Sequence, residues 1–261
     1  MKRLALLTFL SITQLTLAAI GPPKGAVVAC GGGVLGPDVM TRFIALAGGP
    51  DAPIVFIPTA NGENPQPANQ LEANVLRKSG AKNVIILHTI DRKVADSKAF
   101  TEPLQKARGV WIGGGRQWHL VDSYLNTRTL HELQAVLRRG GVIGGSSAGA
   151  TILGSYLVRG AREGNQIMMA PGYEQGFGFV RDVAIDQHLL TRKREKALLA
   201  VVAAHPKLLG IGIDEGTAVV IQRDGFEVVG KSKVAIYEPH KPYYFLKAGD
   251  RFNLKARARV Q

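Results

Sequence analysis

The stretch that decides the fold is Gly141-Val142-Ile143-Gly144-Gly145-Ser146-Ser147-Ala148-Gly149-Ala150. Gly141–Ile143 reads as a short strand buried on both faces, and the residues from Ala148 onward read as the start of a helix. Between them, Gly145-Ser146-Ser147-Ala148-Gly149 has the G-x-S-x-G pattern of a nucleophile elbow, a tight turn that lifts one serine out of a sheet edge. Glycine at 145 and 149 leaves room where side chains would meet the neighbouring strand and helix. The Ala148 N–H then faces a developing oxyanion, helped by the helix N-terminus. Outside that setting the same residues would be a Gly/Ser turn in which Ser147 caps a helix.

Working outward, short apolar runs alternate with amphipathic stretches. Ala26–Cys30, Pro53–Ile57, Val84–Leu87 and Gly109–Ile112 are nearly all apolar, as strands covered on both faces of a parallel sheet must be. Helical spacing marks Pro37–Ala47, Ala68–Ser79, Ser97–Ala107 and Thr129–Arg139, where Leu130, Leu133, Val136 and Leu137 share one face. This alternation predicts an α/β fold, a mostly parallel open sheet flanked by helices. After about Gly210 the pattern changes. Ile211–Asp214, Ala218–Gln222, Phe226–Gly230 and Val234–Tyr237 follow with only turns between them, Arg223-Asp224-Gly225 among these, which predicts an antiparallel extension of the same sheet. No linker or internal repeat divides residues 20–261, so they read as one domain. Gly160–Gly178 reads as a long ordered loop.

Of the 261 residues, 46% are hydrophobic and 20% charged, ordinary globular usage that excludes wholesale disorder. The net charge of +13 raises a nucleic-acid or anionic-lipid reading. Aromatics are only 7% and do not interleave with the basic runs, so no nucleic-acid partner is expected. The best basic cluster is Lys255-Ala256-Arg257-Ala258-Arg259, and a non-catalytic exported anion-binding protein is the remote alternative. Lys2 and Arg3, the apolar run Leu4–Leu17 and then Ala18-Ala19 predict a signal peptide over residues 1–19. The run is too short and interrupted for a comfortable membrane span, so no stable anchoring is expected after cleavage. Export to a periplasm or the medium follows. Cleavage removes two basic residues and no acidic ones, leaving +11. Cys30, the single cysteine, reads as a buried strand residue. No His/Cys/Asp cluster has metal-ligand spacing, and no cofactor is expected. Gly31-Gly32-Gly33 lacks the pattern and the later acidic partner of a dinucleotide site. A homodimer is compatible with the chain, but nothing in it sets the oligomeric state.

A serine nucleophile needs a base. Of His88, His119, His131, His188, His205 and His240, His131 and His205 lie in or beside helical stretches and His240 in a polar turn, while His188 follows the apolar run Val183–Ile185 at a position suited to a strand's C-terminal end. Gly113-Gly114-Gly115 ends another strand and would allow close backbone approach, with an N–H at Gly114 or Gly115 as a second oxyanion donor. Gln117, just beyond, has the chemistry to bind a carboxylate or an amide.

Four segments carry a family resemblance: Gly-Gly-Gly-Arg-Gln at 113–117, Gly-Gly-Ser-Ser-Ala-Gly-Ala at 144–150, Asp-Gln-His at 186–188 with Arg192 and Arg194, and Gly-Ile-Asp-Glu at 212–215. In order and spacing they resemble the cyanophycinase family, a branch of the S51 serine peptidases that also contain peptidase E, an aspartyl dipeptidase. The resemblance implies a fold similar to class I glutamine amidotransferases, with serine in place of their elbow cysteine. It implies Ser147 as nucleophile, His188 as general base and Glu215 as the orienting carboxylate, with Asp214 and Asp186 as alternative third members. It also implies substrate contacts from Gln117, Asp186, Gln187, Arg192 and Arg194. The substrate implied is cyanophycin, poly-aspartate with arginine on each side-chain carboxyl, or a related β-aspartyl-arginine peptide. An aspartyl or isoaspartyl dipeptide is the alternative. Arginine at 192 or 194 would clamp a carboxylate in bidentate fashion. Thr191–Lys196 also reads as the solvated first turns of a helix, in which residues two apart face differently. Ala197, where the family pattern has a further basic residue, and Ser146 depart from the resemblance and bear on substrate choice.

Overall fold

The computed structural model describes residues 19–63 and 67–260, with side chains at 19–63 and 72–260. The expected signal peptide therefore lies, apart from Ala19, outside the described residues. The first half of the chain alternates strand and helix: β1 (Ala26–Cys30), α1 (Pro37–Ala47), β2 (Ile54–Ile57), α2 (Pro67–Lys78), β3 (Val84–Ile86), α3 (Arg92–Ala95), α4 (Lys98–Lys106), β4 (Gly109–Ile112), α5 (Gln117–Tyr124), α6 (Arg128–Arg138), β5 (Val142–Ser146) and α7 (Ala148–Thr151). Then come β6 (Gly154–Tyr156), β7 (Val180–Gln187), α8 (Ala197–Ala204), β8 (Leu209–Ile213), β9 (Thr217–Gln222), β10 (Gly225–Gly230), β11 (Lys233–Tyr237), β12 (Tyr244–Lys247), β13 (Arg251–Asn253) and β14 (Ala258–Val260). Local chemistry sets several starts. Pro37 occupies the first turn of α1, and the Asp91 carboxylate and Ser97 hydroxyl accept backbone N–H bonds at the starts of α3 and α4.

The strands form two sheets. The larger has the order β14-β13-β10-β9-β1-β5-β4-β2-β3, parallel from β1 to β3 and antiparallel from β1 to β14. The smaller has the order β12-β11-β8-β7-β6, with β6, β7 and β8 parallel. The expectation of one extended sheet is thus corrected. β9 and β10 do extend the first sheet, but Ile211–Ile213 and Val234–Tyr237 lie in the second. Turn signals fix which strands follow one another; they do not say that the turn Asp214–Gly216 hands the chain from one sheet to the other.

Alternation along β1 shows how the layers pack. Val27 and Ala29 share one apolar cluster with Leu133 and Val136 of α6 and with Ile185 and Ile211 of the second sheet. Ala26, Val28 and Cys30 face Phe43 of α1 and Leu76 of α2. The other face of the second sheet, at Ala184 and Tyr237, packs on Leu198 and Val202 of α8. The basic C-terminal run is ordered: Ala258–Val260 pairs with β13, and Arg259 lies 3.4 Å from Asp250. Among the described residues no helix is long and apolar enough to cross a membrane.

Candidate active site

Five parallel strands, β1, β4 and β5 of the first sheet and β7 and β8 of the second, bring their C-terminal ends to one place, as ligand sites of α/β sheets require. Ser147 follows β5 directly, with φ +52° and ψ −114°, a conformation a non-glycine residue holds only when its surroundings impose it. The imposition is visible. Ser147 N donates to Cys30 O (3.1 Å), a Cβ on Gly145 would lie 2.3 Å from Gly149 O, and one on Gly149 would lie 2.1 Å from Ile112 O.

His188 Nε2 lies 2.9 Å from Ser147 Oγ, and His188 Nδ1 lies 2.5 Å from Glu215 Oε1. A carboxylate can only accept, so Nδ1 carries the ring proton and Nε2 is left to accept from the serine hydroxyl. The three carboxylates near His188 have separate partners. Asp214 accepts from Leu190 N, Thr191 N, Thr191 Oγ1 and Ser232 Oγ, bracing the turn after His188. Burial opposes its charge, but these donors outweigh that and hold its pKa below the ordinary value. Asp186 receives Nε and Nη2 of the buried Arg159 at 2.7 and 2.8 Å. The His188 pKa is held below its ordinary 6.5, first by burial, while Glu215 raises it and the positive charges of Arg192 and Arg194 lower it. At neutral pH the imidazole is a free base.

The turn Gly31-Gly32-Gly33 after β1 locks these groups together. His188 N donates to Gly31 O (2.9 Å) and Gly216 N to Gly32 O (2.9 Å). A Cβ on Gly32 would sit 2.5 Å from His188 Cε1, and one on Gly33 would sit 2.5 Å from Glu215 Oε2. Sequence reasoning missed this role. The glycine triplet at a strand end was the available signal, matched by the second triplet at 113–115.

That second triplet lies against Ser147: a Cβ on Gly114 would be 3.3 Å from Ser147 Cβ. Gly114 N donates to Glu72 Oε1 (3.0 Å), and Gly114 O accepts from Asn61 Nδ2 (2.9 Å). Among the described residues, the N–H groups of Gly115 and Ala148 have no acceptor. Glu72 and Asn61 were not foreseen, since neither has a local sequence signal.

The expected substrate contacts divide in two. Arg194 is buried and donates to Gln187 O (3.1 Å) and Gln187 Oε1 (2.8 Å), so Asp186, Gln187, Arg194 and the unforeseen Arg159 form an internal network below His188. Burial, and then the Arg159 charge, bring the Arg194 pKa down to about 10, still protonated at neutral pH. Arg192 is exposed on the turn after His188, which is not helical; the helix starts at Ala197. Gln117, 1% exposed, leaves its Nε2 without a hydrogen-bond partner. Cys30 is buried and its thiol is pushed up to about 12, first by burial, which keeps it out of nucleophilic chemistry.

A serine on a strained elbow, a neutral imidazole at 2.9 Å and a carboxylate behind it define a serine hydrolase site. The profile of Peptidase family S51 matches residues 31–229. The chain is 33% identical over 221 residues to the cyanophycinase of Geminocystis herdmanii, across 82% of this chain and 81% of that protein. It is 34% identical over 228 residues to the cyanophycinase of Synechococcus elongatus, across 85% and 70%. The crystal structure of a peptidase from an acI-B1 Actinobacterium, 24% identical, is similar at a TM-score of 0.71 over 89% of this chain and 98% of that one. The chain belongs to peptidase family S51 and is a serine-type peptidase.

Proposed function

We propose that this peptidase hydrolyses cyanophycin or related β-aspartyl-arginine peptides through an acyl-enzyme. Ser147 Oγ attacks the scissile carbonyl as His188 Nε2 takes its proton, and Glu215 stabilises the resulting imidazolium. The tetrahedral oxyanion lies between the Ala148 N–H and the turn Gly113–Gly115. His188 returns the proton to the leaving amine, and water, activated by the same imidazole, releases the acyl group. The observation that carries the chemistry is the hydrogen-bonded chain Ser147–His188–Glu215. For the substrate, support comes from the similarity to cyanophycinases and from two polar groups, one on the turn after His188 and one at the start of α5, just beyond the Gly113–Gly115 turn. The exposed Arg192 guanidinium suits a carboxylate, and the unpaired Gln117 Nε2 suits a carbonyl or carboxylate oxygen.

Cyanophycin granules, β-aspartyl-arginine, other β-aspartyl dipeptides and α-aspartyl dipeptides form the deciding panel. Cleavage of the first two, abolished in Ser147→Ala with the fold intact, is the expected result. Cleavage of α-aspartyl dipeptides alone would move the substrate to the aspartyl dipeptidase class, and activity retained in Ser147→Ala would sink the mechanism. The proposed place of action is outside the cytoplasm, on the strength of the sequence of residues 1–19. N-terminal sequencing of the processed protein, expected to begin at Ile20, tests that part separately.

A further inference from the structure

Glu72 lies on α2, 42 residues before Gly114 and 74 before Ser146, yet its carboxyl group receives three donors at the catalytic edge. Oε1 accepts from Gly114 N at 3.0 Å, and Oε2 accepts from Trp111 Nε1 and Ser146 Oγ, both at 2.9 Å. On the other side of the same glycine, Asn61 Nδ2 donates to Gly114 O at 2.9 Å. The two peptide planes that meet at Gly114 are therefore each held by a different side chain. In a trans peptide the C=O of one residue and the N–H of the next point in opposite directions. Asn61, by drawing Gly114 O toward itself, aims the Gly115 N–H the other way. Gly115 keeps that orientation with φ +141°, and its N–H has no acceptor among the described residues.

We propose that Glu72 and Asn61 are positioning residues that fix the Gly114 backbone so that the Gly115 N–H, and not the Gly114 N–H, is the second oxyanion donor. The inference rests on the reading of Ser147 as an acylated nucleophile. Neither side chain touches the reacting atoms; each acts through the glycine turn. The chemistry explains why a carboxyl group stands at 72. Two fixed N–H donors, from Gly114 and from the Trp111 indole, reach its two different oxygens, and both oxygens can accept. An amide has one oxygen and can serve only one of them. Burial pushes the Glu72 pKa above its ordinary value, against the pull of the donors from Gly114, Trp111 and Ser146.

Glu72→Gln is expected to lower kcat about 10- to 100-fold, less than or equal to the loss of an oxyanion donor, with KM changed by about 2-fold or less. Adding Trp111→Phe removes the competing donor and frees the amide oxygen for Gly114, and about 5-fold or more of the lost kcat should return. Asn61→Asp, at an exposed position, cannot donate to Gly114 O and should cost about 10-fold in kcat at an unchanged melting temperature. Each variant is also timed for labelling of Ser147 by a fluorophosphonate, whose phosphoryl oxygen occupies the same hole whatever peptide the enzyme takes. Labelling slowed in parallel with kcat supports the proposal. Labelling and kcat at wild-type rates in Glu72→Gln and Asn61→Asp overturn it, as does a Glu72→Gln defect that Trp111→Phe deepens. A wild-type enzyme that labels but cleaves nothing in the peptide panel refutes the substrate, and the labelling series still decides the inference. A wild-type Ser147 that takes no label refutes both.

Discussion

Two identical tripeptides, Gly31-Gly32-Gly33 and Gly113-Gly114-Gly115, each follow a parallel strand of the same sheet and end at the same edge. They do opposite things. In the first, the missing side chains matter: the His188 ring and the Glu215 carboxylate occupy the space a Cβ would take. In the second, the backbone polar groups matter: one N–H and one carbonyl are held by Glu72 and Asn61, and the next N–H has no acceptor among the described residues. What a glycine turn does is decided by what packs against it. The second turn meets Ser147 and two polar side chains that hold its backbone, whereas the first meets the His188 ring and the Glu215 carboxylate.

Substitutions at the two turns should separate these roles. Gly32→Ala combines a φ of +100° with a Cβ 2.5 Å from the imidazole, so His188 must move. A loss of about 1000-fold or more in kcat/KM is expected, read against an unchanged circular dichroism spectrum. Gly115→Ala, with φ +141° and a Cβ 2.3 Å from Ala60 O, displaces a backbone N–H and leaves the triad in place. About 100-fold in kcat, with little change in KM, is the expected cost. Gly114→Ala has no positive φ to strain, and its Cβ meets Ser147 Cβ at 3.3 Å. A loss under about 10-fold is expected there; a loss equal to that of Gly32→Ala would mean that the second turn also works by packing. The smallest effect concerns the surroundings of the first turn. Arg192 lowers the His188 pKa, so Arg192→Ala should move the acidic fall of kcat/KM to higher pH. An unmoved or acid-shifted profile would show that its charge does not reach the imidazole.

The parallel half of the fold was legible to within about a residue at most boundaries, because strands covered on both faces must be continuous apolar runs. β5 ran further than expected, through Gly144 and Gly145 to Ser146, since glycines hide a strand from any hydrophobic pattern. α8, apolar along its whole length, offered no amphipathic stripe. At the candidate site, Ser147 stood out in its turn pattern, whereas His188, at a strand end as His88 also is, was singled out by the family resemblance. Asp214 and Glu215 were not separable by position, because adjacent residues differ in direction and only packing shows which faces the imidazole. Glu72, Asn61 and Arg159 act across tens of residues through tertiary contacts, where spacing carries no information.

Ser147 hangs from the end of the larger sheet and His188 from the smaller one, with Glu215 on the turn that joins the two. The Ser147–His188 hydrogen bond at 2.9 Å therefore spans the seam between two separately hydrogen-bonded slabs. An ångström of slip along that seam would break no ladder bond in either slab and would strain only cross-ties such as His188 N to Gly31 O, yet misalignment on that scale costs about 100-fold in rate. The hydroxyl-to-imidazole distance is in effect a gauge of how the slabs are seated. Under heat or denaturant the needle should fall before the walls do.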